Sequence, residues 1–140
     1  MRILITGGAG FVGCHIAEAW QSKAEIVILD NLRSGYRENL QGLQVEFIQG
    51  DITDSQLVNR LCRGVDIIYH EAALVSVVES IENPQLTEEI NVIGLLNLLE
   101  SSREHGIKRI VFASSAAVYG DNYWVKQSED LTLSPLSPYA

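Results

Sequence analysis

Cysteine, positive charge and long apolar runs are all scarce in this 140-residue sequence, and each scarcity excludes something. Its two cysteines, Cys14 and Cys62, are too few and too isolated for a disulfide framework or a zinc knuckle. Both are expected as reduced, buried thiols. Ten Lys and Arg stand against eighteen Asp and Glu, a formal net charge of −8. Nucleic-acid binding needs a basic stripe, so no nucleic-acid partner is expected. No run reaches the roughly eighteen apolar residues of a membrane-spanning helix. Hydrophobic patterning begins at Ile3, leaving no room for a signal peptide, so no membrane partner and a cytoplasmic location are expected. Repeats and low-complexity tracts are lacking, and nothing resembles a linker before the Ser/Pro-rich end "SPLSPYA" (134–140). His15, His70 and His105 fall on a helix face, a strand end and a helix terminus, without partners for metal or triad chemistry. What remains, 46% hydrophobic and 20% charged, is one globular domain's worth of chain.

Two hydrophobic periods alternate along it. "RILIT" (2–6), "EIVILD" (25–30), "QVEFIQG" (44–50), "VDIIYH" (65–70) and "RIVFAS" (109–114) are short Val/Ile-rich runs, suited to strands buried on both faces of a parallel sheet. Between them lie helical stretches. In 11–20, Val12, Ile16 and Trp20 share a face; in 54–62, Asp54 is an N-cap candidate and Leu57, Val58 and Leu61 cluster. The longest helix candidate spans 86–105 and stops at Gly106. Its middle is apolar nearly all round, so a second face needs a cover beyond the sheet. Strict alternation with right-handed crossovers predicts an α/β, doubly wound parallel sheet of five strands in the order 3-2-1-4-5.

The first strand runs into "TGGAGFVG" (6–13). Gly8, Gly10 and Gly13 fit G-x-G-x-x-G; Gly7, Gly10 and Gly13 fit G-x-x-G-x-x-G. Glycines here let the chain turn sharply, bring its backbone against a pyrophosphate and pack the helix on the sheet, while the helix N-terminus offers free N–H groups. The plain alternative is a tight turn with no ligand. Asp30 ends the second strand twenty residues after Gly10, the place of a carboxylate accepting both adenosine ribose hydroxyls. It would repel a 2′-phosphate, which favours NAD over NADP, although Arg33 nearby is of the kind that accepts that phosphate.

With "ILDNLRSG", "GDI" (50–52), "HEAA" (70–73), "NVIG" (91–94), "SSAAVYG" (114–120) and "SPYA" (137–140), the glycine turn falls in the order and spacing of a known family. The chain resembles the extended short-chain dehydrogenase/reductases, in their NAD-dependent epimerase/dehydratase branch, and most nearly the UDP-glucose and UDP-N-acetylglucosamine 4-epimerases. The resemblance covers all 140 residues but less than half of a typical member. It implies a pyrophosphate held by Gly7, Gly10, Phe11, Val12 and Gly13. Asp30, Asn31, Leu32, Arg33, Ser34 and Gly35 would surround the adenosine ribose, and Asp51 and Ile52 the adenine. Ala72, Ala73 and Leu74 would lie along the nicotinamide, and Asn91 matches the family's helix asparagine. Taken alone, Ala72 and Ala73 read equally as packing and Asp51 as a strand-end cap.

The catalytic pair implied is Ser115 and Tyr139; without the resemblance they read as a loop hydroxyl and a half-buried aromatic, and Tyr119 reads as structural. In the family a Lys four residues past the Tyr favours the phenolate, which takes the proton from the sugar C4 hydroxyl, directly or through the Ser. Hydride passes to NAD and returns to the opposite face of a 4-keto UDP-sugar. That Lys would fall beyond Ala140. Residues 1–140 are therefore expected to be an incomplete NAD-binding Rossmann-like domain without its sugar-nucleotide domain, inactive alone, with Tyr139 on a helix too short to nucleate. In the family, the helix matching 86–105 builds a four-helix dimer bundle, so a homodimer, or self-association, is expected. A 4,6-dehydratase is disfavoured because its acid/base pair is replaced by Ala116 and Ala117. A decarboxylase, a steroid-type dehydrogenase and a non-catalytic NAD-binding module remain rivals.

Overall fold

Ile3, Leu4 and Ile5 are wholly shielded from solvent, and the strand they form, β1 (Arg2–Thr6), is central to the sheet. The computed structural model describes residues 1–121 and 126–140. β2 (Glu25–Asp30) and β4 (Ile67–His70) flank β1 in parallel, with Ile3 opposite both Ile26 and Ile67. β3 (Glu46–Gln49) and β5 (Arg109–Phe112) close the edges, giving the order 3-2-1-4-5. Successive side chains of a strand point to opposite faces. Ile3, Ile5, Ile26 and Ile28 accordingly pack on one side, against Cys14 and Ala17. Leu4, Val27, Leu29 and Ile68 pack on the other, against Val58, Cys62 and Leu98. The strands are shorter than their apolar runs: 44–50 pairs only over Glu46–Gln49, 65–70 over Ile67–His70 and 109–114 over Arg109–Phe112. The residues past each paired stretch turn into the loops that build the site.

The inward face of α1 (Phe11–Trp20) is Gly13, Cys14 and Ala17, flanked by Ile16 and Trp20. Val12, expected on that face, is half exposed at the helix start. Small residues let the helix axis approach the sheet, and Val12, about 100° round the helix from Gly13, falls off the face they define. α2 (Ser55–Leu61) begins at Asp54, whose carboxylate accepts from Leu57 N at 2.9 Å. The thiols are free and buried, and burial raises that of Cys62 to about 11 against the opposing Ser101 hydrogen bond.

A helix the apolar pattern did not reveal, α3 (Val77–Glu82), follows β4. Its Val77, Val78 and Ile81 are exposed, so it has no amphipathic signature against this core. The readable signal was the capping box Ser76-x-x-Glu79: Ser76 Oγ accepts from Glu79 N at 3.2 Å.

The helix expected at 86–105 starts earlier and is not uniform. It comprises α4 (Pro84–Glu88), a π-helical turn (Glu89–Ile93) and α5 (Gly94–His105). Pro84 suits the first turn because its missing N–H would have no helical partner there. Gly106, with φ 68°, ends it. Leu98, Ser101 and Ser102 face the core, whereas Val92, Ile93, Leu96 and Leu99 stay exposed, the second apolar face the sequence called for. Among the described residues, no helix is long and apolar enough to cross a membrane.

Candidate functional site

Every strand ends at the same edge of the sheet, and a cavity of about 420 Å³ opens there above β1 and its neighbours. Gly7, Gly10, Phe11, Val12 and Gly13 form one wall. Gly7 has φ 69°, and a Cβ on it would lie 2.6 Å from Ala72 N. A Cβ on Gly13 would lie 2.6 Å from Gly8 Cα. Only glycine fits either place. Of the two glycine triads, Gly7, Gly10 and Gly13 line the cavity, while Gly8 is buried against Ile28. Cys14 N makes the first α-helical bond, to Gly10 O at 3.1 Å. The N–H groups of Phe11, Val12 and Gly13 thus have no carbonyl within the helix and are available to an anion.

The opposite wall is the turn after β2. Asp30 Oδ2 accepts from Ala9 N at 2.9 Å and Oδ1 from Leu32 N at 2.8 Å. The carboxylate therefore pins the glycine turn to β2, a role the sequence did not reveal. Two oxygens offer about four acceptor directions, so lone pairs remain for hydroxyls entering the cavity that Asp30 lines. Asn31 Oδ1 accepts from Arg33 N at 2.9 Å, and its Nδ2 donates to Asp51 Oδ2 at 2.7 Å. Burial pushes the Asp51 carboxyl up, but the Thr53 N–H, the Asn31 and Thr53 side chains and the Arg33 charge outweigh it and hold it below its ordinary value. Asn31, Arg33, Ser34, Gly35, Asp51 and Ile52 all line the cavity. Leu32 does not: it takes a left-handed turn, φ 60°, and packs on the core. The Arg33 guanidinium is ion-paired with the Glu79 carboxylate of α3.

A second cavity, about 230 Å³, continues from the first through Glu71, Ala72, Ala73, Val75 and Ala113, which line both. Ser115 and Tyr139 line it together; Tyr119 does not. Ser115 Oγ accepts from Ala117 N at 3.2 Å, capping the 3₁₀ turn Ala116–Tyr119. Tyr139, expected to be loosely held, is tied down by its backbone N–H, which donates to buried Ser80 Oγ at 3.2 Å. Ser137 Oγ accepts from Ala140 N at 3.1 Å, with Pro138 between, the pattern of a helix cap followed by a first-turn proline.

Asn91 reaches this second cavity from the π-helical turn, but its amide is engaged. Oδ1 accepts from Leu74 N at 2.8 Å and Nδ2 donates to Leu74 O at 3.0 Å. Leu74 is thereby buried and lines neither cavity; Val75 takes its place. Glu71, also unforeseen, lines both, and burial raises its carboxyl above the ordinary value. Its signal was the "HEAA" stretch itself, an acid at a strand's C-terminal end in the crevice.

Beneath them, His70 Nδ1 and Thr6 Oγ1 are hydrogen-bonded at 2.7 Å, both buried, and Ala72 N donates to Thr6 Oγ1 at 3.4 Å. Burial lowers His70 from its ordinary 6.5 to about 4. An unfolded chain takes up a proton near 6.5, the folded one only near 4. Stability from this group is therefore complete above about pH 6.5 and lost as pH falls toward 4, about 3 kcal/mol in all. Urea unfolding at about pH 7.5 and about pH 4.5 should show that loss in the wild type and a smaller one in His70→Gln. Equal losses would refute the assignment. Elsewhere His15 Nδ1 lies 2.7 Å from Phe11 O and His105 Nε2 3.3 Å from Asn59 Oδ1, structural contacts both. Among the described residues no group of three or more His, Cys, Asp or Glu converges on a common point.

A crevice at the C-terminal edge of a 3-2-1-4-5 sheet, with a glycine cradle at a helix N-terminus and an acid after the next strand, defines a Rossmann-like fold of the nucleotide-binding class. The chain belongs to the NAD dependent epimerase/dehydratase family, which matches residues 3–140. It is 42% identical to the UDP-glucose 4-epimerase of Thermus thermophilus, solved in complex with NAD, at a TM-score of 0.91 over 99% of this chain and 46% of that one. The UDP-N-acetylglucosamine 4-epimerase of Methanobrevibacter ruminantium, solved with UDP-N-acetylmuramic acid, is 34% identical at a TM-score of 0.92, over 99% of this chain and 45% of that one. The UDP-glucose 4-epimerase of Lactobacillus helveticus is 36% identical over 99% of this chain and 43% of its own length. The chain spans somewhat less than half the length of the relatives it matches.

Proposed function

We propose that residues 1–140 form the NAD-binding part of an enzyme that epimerises a UDP-sugar at C4 through a transient 4-keto sugar. One observation carries the reading: the glycine cradle and the Ser115–Tyr139 pair open into one continuous crevice. The N–H groups of Phe11, Val12 and Gly13 suit a pyrophosphate, since no side chain at Gly7, Gly10 or Gly13 stands in the way. Asp30 accepts ribose hydroxyls with its spare lone pairs, and Asp51 and Ile52 flank the base. Ala72, Ala73 and Val75 leave a small, apolar passage toward Tyr139. NAD bound there supplies reversible hydride exchange with the sugar C4. Tyr139 holds and returns the C4 hydroxyl proton, and Ser115 orients that hydroxyl. The catalytic and cofactor-binding roles of all these residues are part of the proposal.

The test grafts residues 1–140 onto the remainder of the Thermus thermophilus enzyme and supplies NAD with UDP-galactose. Formation of UDP-glucose is expected; a folded, NAD-loaded chimera without epimerisation would refute the reading.

The full protein is further proposed to be a cytoplasmic homodimer, pairing through Val92, Ile93, Leu96 and Leu99. Exposed apolar side chains in one stripe of a helix favour association. Sedimentation of the 140-residue chain should show concentration-dependent self-association that Leu96→Glu weakens. A strictly monomeric chain at high concentration would count against this interface.

A further inference from the structure

We propose that Glu79 is a cofactor-specificity residue, which by pairing with Arg33 denies the guanidinium to a 2′-phosphate and biases the crevice toward the unphosphorylated dinucleotide. The inference rests on the NAD reading above. Arg33 lies three residues past Asp30 and lines the same cavity as Asn31, Ser34 and Gly35. Its backbone is fixed by the bond from Arg33 N to Asn31 Oδ1 at 2.9 Å. An Arg so placed after the second strand is the usual acceptor of a 2′-phosphate, and left free it would undo the discrimination that Asp30 provides.

The structure commits that guanidinium elsewhere. Glu79 stands on the first turn of α3, held by the bond from its N–H to Ser76 Oγ at 3.2 Å. Arg33 follows β2 and Glu79 follows β4, and β1 lies between those strands. The pair therefore spans the two sides of the crevice. Both side chains are partly solvated, 39% and 34% exposed, so the pair contributes little to stability. Its consequence is for selectivity. To use Arg33, a 2′-phosphate must displace Glu79 and then sit near a carboxylate it has unpaired, with Asp30 and Asp51 already close to Arg33's turn. Like charges gathered in that way disfavour the phosphorylated ligand.

The experiment titrates the chain, Glu79→Gln and the double variant Glu79→Gln/Arg33→Met with NAD and with NADP at low salt. Gln keeps the shape and the backbone bond to Ser76 while removing the charge. NADP binding should strengthen about fivefold in Glu79→Gln, the upper range for releasing an exposed ion pair, while NAD changes less than about twofold. The gain should vanish in the double variant and shrink as salt rises. An unchanged NADP-to-NAD ratio in Glu79→Gln, or a gain that persists without Arg33, overturns the inference while leaving the NAD reading intact. Failure of the unmodified chain to bind either nucleotide overturns both.

Discussion

Tyr139→Phe should lower kcat for epimerisation in the chimera by about a thousandfold, within the usual range for removing a general acid–base group. Phe keeps the ring, and the bond that seats residue 139 runs from its backbone N–H to Ser80 Oγ, so the substitution leaves that tether in place. NAD affinity should stay within a factor of about two, because the glycine cradle and Asp30 lie in the other half of the crevice. Steady-state kinetics with UDP-galactose and a parallel NAD titration make the comparison. Near-normal turnover in the Phe variant would mean that another group carries the proton.

Gly7→Ala should be the most damaging substitution to the fold of the site. The residue sits at φ 69°, and the added methyl would meet Ala72 N at 2.6 Å and Glu71 C at 2.7 Å, backbone atoms that cannot swing aside. Left-handed strain and overpacking together come to about 3 to 5 kcal/mol. In a domain of this size that lowers Tm by about 10 °C or more, and NAD binding should become undetectable. Gly10→Ala is the contrast, since its methyl would meet only Gly7 O at 3.2 Å. Thermal unfolding that ranked Gly10→Ala as the worse of the two would contradict this account of the turn.

The strands were legible because burial on both faces leaves continuous apolar runs, and "RILIT" and "EIVILD" form β1 and β2 over their full lengths. Where a run extended past its paired neighbour the strand stopped short, as at Phe112, because pairing depends on the partner and not on the run itself. The glycine turn and Asp30 were legible as a site because backbone approach and charge demand particular residue types. Their mutual bond, Ala9 N to Asp30 Oδ2, was not, since it joins residues 21 apart in sequence through loop geometry. Leu74 and Val75 show the same limit. Both are apolar and adjacent, and only the Asn91 clamp decides which one faces the crevice. α3 is hard to read in the sequence because its apolar side chains point outward, leaving a single capping box as its signal.

The π-helical turn at Glu89–Ile93 fixes chain length in a way that no side chain does. Such a turn is an α-helix carrying one surplus residue, which rotates the turns before it relative to the turns after it. Losing Val92 or Ile93 would yield a smoother helix with better internal bonding, and a local measure of helicity would score that as an improvement. Yet Gly94 packs against Ile52, which anchors α5, so the whole rotation, about 100° for one residue, would fall on the segment bearing Asn91. Its amide would leave Leu74, and the chain that follows β4 into the crevice would lose that clamp. Side chains at these positions can be exchanged more freely than their number can change, so a deletion here should harm the site more than most substitutions do.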